Sequence, residues 1–109
     1  MSYDIKMMAE SREERDRLDD LNVTFNLQPL FVRALGGAGL KGIDGWCGNA
    51  IAPHVERSLQ HVRAYRPVYE DIIQHHGITH GSVDEVIEVL TKIMKASYDW
   101  PDGLLVVLA

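Results

Sequence analysis

Tyr3, Ile5 and Met7 alternate with Asp4 and Lys6 at the start of the chain, a period of two that predicts a half-buried first strand. A second short alternation, Asn22-Val23-Thr24-Phe25-Asn26, sets Val23 and Phe25 on one side and three uncharged hydrogen-bonding side chains on the other. The period then becomes helical. Leu30, Phe31, Ala34 and Leu35 form a narrow apolar stripe stopped by Gly36-Gly37, with Asn26 as a candidate N-cap, Pro29 in the first turn and Arg33 turned away from the stripe. Ile51, Val55, Leu59 and Val62 predict a longer amphipathic helix to about Tyr65. A further helical piece runs from Pro67 to Gly77, set off because the residue before a proline avoids the helical region. Ser82-Val-Asp-Glu85 is a capping box, and the helix it opens carries Val83, Val86, Ile87, Leu90, Ile93 and Met94 on one face. After the turn Trp100-Pro101-Asp102-Gly103 comes Leu104-Leu-Val-Val-Leu108, an unbroken apolar run that reads as a strand buried on both faces. At the C-terminus such a strand is also a natural contact for a second copy.

Strand, strand, helices, strand predicts an α+β fold: a small, mostly antiparallel sheet of about three strands, two N-terminal and one C-terminal, with about four helices packed on one face. At 109 residues the chain is expected to form a single domain, residues 1–109. Between the first two strands, Glu10 to Asp20 is almost wholly charged and lacks the apolar spacing that fixes a helix face, so it reads as a solvated loop or a marginal helical turn rather than a binding tail.

Charge and cysteine content narrow the function classes. A net charge of −5 repels phosphate backbones and acidic membranes, which argues against nucleic acid or a membrane as partner. Nothing approaches eighteen consecutive apolar residues and the first residues lack the pattern of a signal peptide, so the expected location is the cytoplasm. One cysteine, Cys47, excludes an internal disulfide and a thiolate zinc cluster.

Six of the nine glycines lie in the thirteen residues 36–48, and Gly39, Gly42, Gly45 and Gly48 recur every third position. So few side chains add little to a core, which leaves backbone geometry or close approach to a ligand as their use. Bare amides before a helix can converge on an oxyanion. The segment has neither the Gly-Lys-Ser/Thr ending of a P-loop nor the glycine spacing of a dinucleotide fingerprint. The alternatives are a structural turn and a ligand-contacting loop without hydrolytic chemistry. On the second reading, Asn22, Thr24 and Asn26 supply hydrogen bonds to base or ribose, Gly45 an approachable backbone, Phe31 and Trp46 aromatic surface, and Arg33 and Lys41 a countercharge.

No catalytic set stands out. His75-His76 and His80 have no carboxylate or cysteine at a convincing ligand spacing, and His75 and His76 suit a helix C-terminus. His54 and His61, seven apart on one helix, are one short of a ligand set and read as polar rim. Cys47 reads as a small N-cap-like residue rather than a nucleophile. Neither a metal nor a cofactor is expected.

The motifs Met1-Ser-Tyr-Asp-Ile5, Leu21-Asn-Val-Thr-Phe-Asn26, Phe31-Val-Arg-Ala-Leu35 and Gly42-Ile-Asp-Gly45, with the helix through Ile51, Pro53, Val55 and Glu56, resemble a family of small uncharacterised bacteriophage and prophage proteins. The resemblance covers about the first 65 residues. Two departures stand out: Cys47 where relatives carry threonine, and a shorter charged insertion between the first strands. The resemblance implies a phage setting, hence the cytoplasm of an infected bacterial host. In that setting the leading expectation is a non-catalytic counter-defence protein that binds and sequesters a nucleotide-derived immune second messenger, assembled as a homo-oligomer so that interfaces bury more ligand. The alternative is an inhibitor that binds a host defence protein directly through its acidic surface. A third reading is an enzyme that degrades a signalling nucleotide.

Overall fold

The computed structural model describes residues 1–8, 18 and 21–109. It contains β1 (Ser2–Met8), β2 (Leu21–Thr24), α1 (Gln28–Leu35), α2 (Gly48–Ala64), α3 (Arg66–His75), α4 (Val83–Asp99) and β3 (Leu104–Leu108). Short 3-10 turns occupy Phe25–Leu27 and Gly39–Ile43. The three strands form one antiparallel sheet in the order β2-β1-β3, and the four helices make this an α+β fold. The charged stretch from Glu10 to Asp20 lies outside the described residues, except Leu18, which is buried.

Period-two alternation decides which side of the sheet meets the helices. Ile5 and Met7 of β1, Leu21 and Val23 of β2, and Leu105 and Val107 of β3 all point into the core and are buried. There they meet Phe31 and Leu30 from α1, Ile51, Val55 and Leu59 from α2, Tyr69 from α3, and Val86, Leu90 and Ile93 from α4. The serine half of the expected capping box is formed: the Ser82 hydroxyl accepts from the Glu85 amide at 3.2 Å, starting α4 at Val83.

Two expectations are corrected. β3 is not buried on both faces; it is the outer strand of the sheet, and Leu104 and Leu108 are 42% and 48% exposed. Its five apolar residues are divided by the pleat, not gathered into a central strand. Second, β2 stops at Thr24, because the Thr24 hydroxyl accepts the Asn26 amide at 3.3 Å and turns the chain into the 3-10 segment. Thr24 caps the 3-10 turn, α1 begins after Leu27 without a side-chain cap, and Asn26 neither caps the helix nor stays on the strand face on which it was placed.

Candidate functional site

The glycine segment is more heavily used by the fold than its composition suggests. In a 3-10 turn, residues three apart eclipse. Leu40 and Ile43 therefore both turn inward and are buried, contrary to the expectation that the segment adds little to the core, while Lys41 and Asp44 share another row. Asp44 (ψ 131°) and Gly45 (φ 82°) then form the centre of a turn closed by the Trp46 amide on the Ile43 carbonyl, a geometry that requires positive φ at its third residue.

This turn brings the chain alongside the outer edge of β3. The Gly45 amide donates to the Leu105 carbonyl at 2.8 Å, and the Leu105 amide to the Trp46 carbonyl at 2.9 Å, so two residues face one as in a β-bulge. Two residues further along β3, side chains replace backbone: the Val107 amide donates to Asp44 Oδ1 at 2.8 Å, and Lys41 Nζ donates to the Val107 carbonyl at 2.7 Å. Lys41 and Asp44 are themselves paired at 3.7 Å. The backbone groups of Leu105 and Val107 that face the outer edge of β3 are thus hydrogen-bonded, which protects an edge otherwise open to strand pairing. At Gly48 the α2 start meets the end of α4 so closely that a Cβ would lie 2.3 Å from the Trp100 carbonyl oxygen.

Between α1, the 3-10 turn and α2 the same segment walls a cleft of about 190 Å3, lined by Leu35, Gly36, Gly37, Gly42, Trp46 and His54 among others. Trp46 is 38% exposed, and its ring lies 5.4 Å from the His54 ring at 46°. His54 Nε2 is 3.1 Å from the Leu35 carbonyl; donation there fixes the Nε2–H tautomer and anchors α2 to the end of α1. An indole that lines a cleft with glycines offers a stacking surface in a wall poor in side chains.

The other expected site residues are elsewhere. Phe31 is completely buried and has no ligand-facing surface. Lys41 and Gly45 serve the β3 edge as described. Asn22 donates to Asp4 Oδ1 at 2.7 Å and Ser2 Oγ at 3.0 Å, on the strand farthest from the glycine segment. It borders a groove of about 250 Å3 that also holds Glu85, Glu88 and Lys92. Thr24 is on the same distant strand, and Asn26 donates to the His80 carbonyl at 3.4 Å. Arg33 is not part of the cleft wall; its charge instead acts on Tyr69. Of the eight nominated residues, Trp46 remains at the cleft.

The sequence pattern makes His54 and His61 polar rim and does not single out Asp44 or Tyr69 for a polar role. Tyr69 is fully buried with its hydroxyl 2.6 Å from His61 Nδ1, and burial pushes its pKa above the ordinary value while Arg33 pulls the other way. The seven-residue spacing of His54 and His61 signalled a shared helix, but their partners come from α1 and α3. Cys47 is the N-cap residue of α2, its carbonyl accepting the Ala50 and Ile51 amides. No group of three or more His, Cys, Asp or Glu among the described residues is arranged to hold a metal ion, and no described helix is long and apolar enough to cross a membrane. Comparison with protein-family models, curated proteins and solved structures finds no match to the chain.

Proposed function

We propose that this chain is a non-catalytic binding protein for a nucleotide-derived ligand. In the phage setting that the sequence resemblance implies, it sequesters an immune second messenger in the host cytoplasm. The observation that carries this reading is the part-exposed Trp46 ring at the rim of the glycine-walled cleft, backed by His54. A cleft of about 190 Å3 is smaller than the roughly 300–1,000 Å3 of pockets that enclose a whole small ligand. It suits one base or one phosphoryl group, with the rest of the ligand lying across the exposed Gly36-Gly37-Ala38 backbone. The test is calorimetry against a panel of cyclic dinucleotides and ADP-ribose-derived signals, comparing the parent with Trp46→Ala. Saturable binding without turnover, weakened at least tenfold in the variant, is expected; silence across the panel contradicts the reading. A stoichiometric host protein partner whose binding survives Trp46→Ala would instead support direct inhibition of a defence protein.

A further inference from the structure

The side of the sheet opposite the helices carries a second, independent feature. The residues left there by the pleat are the even-numbered ones: Ser2, Asp4, Lys6 and Met8 on β1, Asn22 and Thr24 on β2, and Leu104, Val106 and Leu108 on β3, with Asn22 donating to Asp4 Oδ1 at 2.7 Å. In register, Asp4 stands beside Leu108, Lys6 beside Val106 and Met8 beside Leu104. An apolar column therefore runs the length of β3 next to a column in which an acid and a base are two residues apart. Leu104 and Leu108, each over two-fifths exposed, are among the most exposed large apolar side chains of the described residues.

We propose that this outer face is a homodimer interface, with two copies stacked sheet to sheet about a two-fold axis that crosses the strands at the level of Ile5 and Val107. The charges select that arrangement. An axis running along β1 would lay Asp4 over Asp4 and Lys6 over Lys6, a like-charge stack, and one running between β1 and β3 would lay both charges on the apolar column. An axis across them reverses β1 against its own copy, so each Asp4 meets the Lys6 of the other chain and each Val106 meets Leu108. Self-complementary charge beside an apolar column is what a second copy supplies without any further fitting, at the roughly 10 Å separation of packed sheets. Pairing through the β3 edge is closed, because Leu105 and Val107 are already bonded to the 41–46 segment. Three strands at a spacing of about 4.8 Å span only about 14 Å, so the buried area falls at or below the roughly 1,200–2,000 Å2 of stable specific complexes and the dimer is weak and reversible. The Trp46 cleft faces the helix layer and remains open in both copies.

Sedimentation equilibrium over a wide concentration range tests this without any ligand. The parent is expected to rise from the mass of one chain toward that of two, and Leu108→Lys to hold it at one. Asp4→Lys alone and Lys6→Asp alone are each expected to weaken self-association at least tenfold, whereas an equimolar mixture of the two associates as well as the parent. The double exchange Asp4→Lys/Lys6→Asp is also expected to restore the dimer. Circular dichroism checks that each variant keeps the parent fold, which is expected because the substituted side chains point away from the core. A parent that stays monomeric throughout, a mixture that fails to associate, or single variants that self-associate like the parent would each overturn the proposal.

Discussion

At Tyr69 a phenol is fully buried, yet its hydroxyl keeps a 2.6 Å bond to His61, whose ring also packs 4.7 Å from the Tyr65 ring. Burial disfavours the phenolate, so the folded state holds the proton more tightly than the unfolded chain. The unfolded chain therefore loses it first, and the stabilisation present below about pH 10 is lost as pH rises from there through the higher folded-state value. Tyr98, bonded to Glu56 at the surface, shifts in the same direction. Urea midpoints measured from pH 8 to 11 are expected to fall at the alkaline end. Tyr69→Phe should flatten that fall, while lowering neutral-pH stability by about 1 kcal/mol through the lost hydrogen bond. An alkaline slope unchanged by Tyr69→Phe would contradict this account of the residue.

Among elements, β3 depends on the segment that precedes α2. Asp44→Ala leaves the part-buried Val107 amide without its acceptor and Lys41 without its carboxylate, so unfolding free energy should drop by about 1–3 kcal/mol. Asp44→Asn keeps an acceptor oxygen and should lose less than about 1 kcal/mol. Hydrogen exchange at the Val107 amide, faster in the alanine variant only, separates this local release from general destabilisation. The elements themselves were largely legible. The Ser82 cap and regular apolar spacing announce α4, and Gly103 and the apolar run delimit β3. What the run could not reveal is its position in the sheet, since the partners on its outer side are a turn about sixty residues earlier. Glycine spacing was misleading for a related reason. Gly39 and Gly42 belong to a 3-10 turn, Gly45 to a tight turn and bulge, and Gly48 to a helix contact, so one period covers distinct conformational demands.

For the molecule as a whole, the sheet order separates what sequence proximity joined. Asn22 and Thr24 lie on β2, at the opposite edge from the glycine segment, with β1 and β3 between them. At about 4.8 Å per strand, that is about 14 Å of sheet, too wide for the cleft to include both. A polar strand face and a glycine loop can be recognised in sequence one at a time; whether they converge depends on strand order, which neither encodes. The same order gives the molecule two separate surfaces, a cleft on the helix side and, on the other, a face where the apolar residues of β3 run beside Asp4 and Lys6. The proposed ligand position is the Trp46 cleft. Amide and indole NMR shifts of 15N-labelled protein, followed while the panel of cyclic dinucleotides and ADP-ribose-derived signals is added, test it most directly. The account predicts saturable changes concentrated at Gly36, Gly37, Gly42, the Trp46 indole and His54. Changes confined to Asn22, Glu85 and Glu88 or to the outer face of β3, or no changes at all, would contradict it.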